Sequence, residues 1–118
     1  MGALRTSWWA VRASRSARRG LREAGLGIAP LPAPPREVAH HPSAVETALK
    51  TTRATCLERS LVLQAVHSAN ARPPPDVVIG VTERDGSPRF HAWLDGVDPA
   101  EVDEYAELAR IRHGTNPT

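Results

Sequence analysis

The run beginning at Thr55 constrains the fold more than any other stretch. Thr55 and Glu58 form a T-x-x-E capping box, which puts Thr55 at the N-cap, Cys56 at the first helical position and Glu58 at the third. Beyond them, Leu57, Leu61, Ala65 and Ser68 recur at helical spacing, and Val62, Val66 and Ala69 line the adjacent stripe. An apolar face that wide predicts a buried helix over about 56–71, ended by Arg72-Pro-Pro-Pro75. The rest of the chain must therefore cover that helix. Cys56 is the chain's single cysteine. At a helix start it faces unpaired backbone N–H groups and the positive end of the helix dipole, and both favour a thiolate. The alternative is a buried cysteine acting as a small hydrophobe.

The flanking segments supply covering elements. Ser43-Ala-Val-Glu46 reads as a second capping box, opening a helix to about Arg53 with Val45, Leu49 and Thr52 on one face. Val77-Val-Ile-Gly-Val81 is β-branched and continuous, as a central strand would be. Asp85-Gly86 marks a turn, and Phe90-His-Ala-Trp-Leu94 is the returning strand of a hairpin. Alternation puts His91, Trp93 and Asp95 on one face and Phe90, Ala92 and Leu94 on the other. Tyr105–Ile111 fits either a third strand or a short helix, and residues 113–118 read as frayed. The predicted class is α+β. With 4% aromatic residues, the core is expected to be aliphatic.

The 118 residues suggest a single soluble, cytoplasmic domain. One cysteine makes no internal disulfide, so the fold needs no oxidising compartment. No run approaches the ~18 apolar residues of a membrane span. Charge is divided unevenly. Residues 1–36 hold seven arginines against one acid, Glu23, and the remainder holds eight basic against twelve acidic groups. This separates a basic arm and connector (1–42) from a mildly acidic body (43–118). Residues 3–24 read as a helix whose tryptophans dock on the body, with an anionic-partner helix and a targeting segment as the alternatives. Arg18-Arg19 matches the dipeptide of an export signal, but no hydrophobic stretch follows it. No nucleic-acid reading motif accompanies the arginines. The prolines of residues 28–42 predict an extended connector. His40-His41 at its end lacks further ligands at a metal-binding spacing, so neither a metal nor a cofactor is expected.

A thiolate at a helix start and an imidazole on a facing strand are the parts of a Cys–His nucleophile pair. The imidazole would hold the thiolate and then protonate a leaving amine. Backbone N–H groups at the helix start would serve as an oxyanion hole. Gln64 lies more than two turns beyond Cys56, too far to help, and reads as structural. Glu58 and Arg59 read as cap and salt-bridge residues. Trp93 reads as core or as a substrate contact, and Arg53 as a substrate contact or a solvated surface arginine.

Thr55-Cys-Leu-Glu-Arg-Ser-Leu-Val-Leu-Gln64, Val77-Val-Ile-Gly-Val81 and His91-Ala-Trp-Leu94, in that order, resemble the leader peptidases of lasso peptide biosynthesis. These peptidases belong to the transglutaminase-like cysteine protease superfamily. The resemblance covers about residues 43–110. It implies a papain/transglutaminase-like fold and removal of a leader from a ribosomally made precursor peptide. It also implies two partners, a separate leader-binding protein and an ATP-dependent macrolactam cyclase. Cys56 carries over as nucleophile and His91 as base. The family offers an Asp about a dozen residues beyond the His. Here Asp98 is preferred as the third member, with Asp103 second and Asp95 third. The alternative function is a non-catalytic binding or scaffold module of the same fold.

Overall fold

The computed structural model describes residues 2–24, 31–69, 74–97 and 104–112. Three helices come first: α1 (Gly2–Ala24), α2 (Pro42–Thr51) and α3 (Cys56–Ser68). Three strands follow: β1 (Val77–Arg84), β2 (Ser87–Leu94) and β3 (Ala106–Ile111). The strands form one antiparallel sheet in the order β2-β1-β3. The α+β class expected from the sequence is the class observed.

Helix α1 is part of the core. Thr6, Trp9, Ala10, Ala13, Ser14 and Ala17 recur along one side of it and are buried. Their mostly small side chains let α2 and α3 approach closely. Trp9 is buried and its indole N–H donates to the Pro32 carbonyl at 2.8 Å, while Trp8 beside it is exposed. The Ser14 and Thr52 hydroxyls are 2.9 Å apart, so buried Ser14 finds a partner in half-buried Thr52.

Two local expectations change. Residues 31–35 form neither helix nor strand, with Pro35 extended, but Arg36–His40 forms a 3-10 helix. No proline stands between Pro35 and Pro42, so the N–H of Val38 is free to bond the Pro35 carbonyl at 3.1 Å. Val38 fills the core at that turn. The capping box expected at Ser43–Glu46 does not form. Helix α2 starts two residues earlier, with His41 at the N-cap and Pro42 at its first position, where a missing N–H costs nothing. The Glu46 carboxylate instead accepts from Arg59 on α3 at 3.0 Å.

Helix α3 lies between two apolar clusters, as its two stripes require. Val62 and Ala65 pack with Trp9, Ala13, Val45 and Leu49 on the helical side. Leu61 and Leu57 pack with Val77, Ile79, Ala92 and Leu94 on the sheet. Gln64 is structural, as expected: its buried amide donates to the carbonyls of Pro75 and Ile111, both at 2.9 Å. The strands run longer than the sequence suggested because the hairpin pairs fully from Val77–Leu94 to Arg84–Ser87. Asp85 and Gly86 both have positive φ, the conformation that the tightest hairpin turn demands. The run 106–111 is a strand, and its register against β1 shifts between Ile79 and Gly80. Among the described residues no helix is long and apolar enough to cross a membrane.

Candidate active site

The start of α3 is fixed from both sides. Thr55 Oγ1 accepts from the Glu58 N–H at 3.2 Å, and Glu58 Oε1 accepts from the Thr55 N–H at 3.1 Å. The predicted capping box is therefore present. Glu58 is buried, and a carboxylate there needs a cation. Arg18 of α1 supplies one, with Nε at 3.3 and 3.2 Å from the two carboxylate oxygens and Nη2 at 3.1 Å from Oε1. The same Nη2 donates to the Thr52 carbonyl at 2.8 Å. The Arg18 pKa is raised, chiefly by the hydrogen bond to Glu58 and then by its charge. This guanidinium ties α1, the end of α2 and the first turn of α3 together.

Cys56 is a free, exposed thiol at the first position of this turn. Helix geometry leaves the N–H groups of Cys56 and Leu57 without intrahelical acceptors. The approach from α2 is a Schellman turn. Arg53 has φ 53°, the Ala54 N–H bonds the Leu49 carbonyl at 3.0 Å and the Arg53 N–H bonds the Lys50 carbonyl at 3.1 Å. Arg53 thus occupies the left-handed position that terminates α2, three residues before the thiol.

His91 lies on β2, paired across the ladder with Gly80. Ala92 and Leu94 face α3, so alternation puts His91 and Trp93 on the sheet's other face. There the imidazole stacks on Trp93, with centroids 5.9 Å apart, and tilts against Tyr105 at 5.5 Å. A Cβ built on Gly80 would come within 2.7 Å of the Trp93 ring and 2.8 Å of the Tyr105 Cβ. Only glycine admits this aromatic group against β1. None of the described hydrogen bonds joins Cys56 to His91.

A sequence model for a family described as the transglutaminase-like superfamily matches residues 1–113. This chain belongs to the transglutaminase-like superfamily. No curated protein and no solved structure matches it. The superfamily includes cysteine proteases, and the match takes in α1 as well as the body.

Within this transglutaminase-like fold the other expected site residues fall as follows. Asp98 and Asp103 lie outside the described residues. Asp95 is half exposed and accepts from Arg110 Nη1 at 2.7 Å. Arg110 also reaches Glu107 at 2.8 Å and Asp76 at 3.4 Å, and its pKa is raised, first by Glu107 and then by Asp95. Trp93 is buried at 7% exposure, which makes it a core residue of the sheet's open face. Among the described residues no group of three or more His, Cys, Asp or Glu is placed to hold a metal.

Sequence reasoning passed over two residues at this site. The sequence marks Arg18 only as half of an Arg-Arg dipeptide, yet it follows Ser14 by four residues on the docked side of α1, and that spacing is the available signal. Tyr105 was left in an ambiguous run. The interior glycine of Val77-Val-Ile-Gly-Val81 marks a close approach to the strand, but nothing in the sequence says by which side chain.

Proposed function

We propose that this chain is a cysteine peptidase that removes the leader segment from a ribosomally synthesised lasso peptide precursor. The observation that carries this reading is Cys56, exposed at the first position of a doubly capped helix in a transglutaminase-like chain. In the proposed reaction the Cys56 thiolate attacks the scissile carbonyl and forms a carbon–sulfur bond. The N–H groups of Cys56 and Leu57 receive the oxyanion. The His91 imidazolium gives its proton to the amine as the carbon–nitrogen bond breaks. Water, deprotonated by His91, then displaces the thiol from the thioester. Asp98 is the preferred orienter of His91, with Asp103 and Asp95 behind it; Asp95 is already bonded to Arg110.

The pairing requires His91 to leave Trp93 and Tyr105, against which it stands on the sheet face away from α3. The peptidase acts in the cytoplasm with a separate leader-binding protein and supplies the cleaved core peptide to an ATP-dependent macrolactam cyclase. The test combines precursor, leader-binding protein and this chain and follows cleavage by mass spectrometry. Cys56→Ala is expected to abolish it; undiminished cleavage sinks the assignment.

One observation favours a second reading, a non-catalytic transglutaminase-like module. It is the stacking of His91 on the face away from α3. The alkylation rate of Cys56 separates the two. The peptidase predicts slower alkylation near neutral pH in His91→Ala, whereas the scaffold predicts no change.

A further inference from the structure

A groove of about 590 Å³ runs along the outer side of α1 and ends at the α2–α3 turn. Leu4, Trp8 and Val11 line one part of it, at the spacing that puts them on one helix face. Leu4 and Trp8 are 66% and 63% exposed, so two large apolar side chains stand without a partner in the described structure. Arg15, Arg18 and Thr52 line the other part. Arg18 touches the carbonyls of Thr52 and Arg53 and the Glu58 carboxylate, within the turn that leads into Cys56. The groove is thus apolar at its distal end and carries Arg15, with the paired Arg18, at the end by the turn that leads into Cys56.

The charge on α1 identifies the occupant. The helix carries six arginines and one acid, Glu23. Among the described residues only Arg5 and Arg18 of those six have carboxylate partners. Of the other four, Arg15 lines the groove, and Arg12, Arg19 and Arg22 add positive charge along the same helix, which favours an anionic ligand. From Leu4 to Arg18 the helix spans about 21 Å. An extended peptide covers that in roughly six residues.

We propose that this groove binds a segment of the peptide substrate, apolar at one end and acidic at the end nearer Cys56. The segment's leucine or phenylalanine side chains pack on Leu4 and Trp8, its carboxylate meets Arg15, and the adjoining scissile bond is delivered to the thiol. This assignment rests on the peptidase reading for the role of Cys56, while the binding itself is measurable without turnover.

The experiment uses full-length Cys56→Ala protein and fluorescence anisotropy. The probe is a labelled synthetic peptide with leucines in one half and glutamates in the other. The comparison probes are its lysine counterpart, a single-stranded oligonucleotide and phosphatidylglycerol vesicles. The acidic peptide is expected to bind and the lysine peptide to fail. Trp8→Ala and Arg15→Glu, in the same Cys56→Ala background, are each expected to weaken binding about tenfold. Trp8 is exposed, so thermal melting of the variants should match that of the parent protein. Binding of the acidic peptide that ignores both substitutions overturns the assignment. So does tighter binding of the oligonucleotide or the vesicles with the same residue dependence. Cleavage that needs Cys56 while binding ignores Trp8 and Arg15 sinks the groove and leaves the peptidase standing. Binding that follows Trp8 and Arg15, with cleavage undiminished by Cys56→Ala, supports the groove and sinks the peptidase.

Discussion

Gly80 holds the open face of the sheet together by having no side chain. Trp93 lies over it, and Tyr105 and His91 close round that ring. A methyl group at this position meets an aromatic ring and a Cβ, neither of which is a flexible side-chain end. Gly80→Ala is therefore expected to cost about 1–3 kcal/mol, the range for overpacking a filled site. Urea unfolding measures it, and an unchanged midpoint would show that Trp93 moves freely. Position 53 shows the opposite relation between residue and backbone. Arg53 holds a left-handed conformation that glycine adopts without steric cost. Arg53→Gly is expected to stabilise the fold by about 0.5–1 kcal/mol. If cleavage falls while the melting temperature rises, Arg53 contacts substrate; if both hold or rise, its role is confined to the turn.

At the scale of elements, α3 shows how much a helix start depends on its neighbours. Thr55 and Glu58 close the box locally, but Glu58 is buried and is balanced only because α1 brings Arg18 to it. Thr55→Ala removes the acceptor for the Glu58 N–H and is expected to cost about 1 kcal/mol, read from thermal unfolding. The existence, sense and cap of α3 were all legible in the sequence, because a capping box and a two-stripe apolar pattern act over a few residues. The start of α2 was not. Ser43 and Glu46 carry the same box signature, and Glu46 went to Arg59 on another helix instead. The helix takes Pro42 as its first residue, which puts Ser43 inside it and leaves the Glu46 carboxylate to Arg59. The β3 run was ambiguous for a related reason. Its strand form depends on pairing with β1, which lies about thirty residues earlier in the chain.

For the whole molecule, the consequential element is α1. A chain split by charge into arm and body suggests an arm that docks or detaches, and the buried side of α1 decides between those. Trp9, Ala10 and Ala13 belong to the cluster that also holds Val45, Leu49 and Val62, and Ala17 belongs to the sheet-side cluster. Removing residues 2–24 is expected to abolish cooperative thermal unfolding by circular dichroism. A truncated chain that melts as sharply as the full one would make α1 a dispensable arm.

The sequence by itself determined the α+β class, the capped cysteine helix, the Asp85-Gly86 hairpin and the absence of a disulfide within the chain. These follow from periodicity, turn chemistry and composition, which are properties of short segments. Only the tertiary structure decided that α1 completes the core, that Arg18 neutralises Glu58, and that His91 stands with Trp93 and Tyr105 across from the α3 side of the sheet. Alternation along β2 separates its residues into two faces, but which face meets the helix depends on where Leu57 and Leu61 find their partners. That choice is made by the burial of Val77, Ala92 and Leu94 together, a contact among segments far apart in the chain.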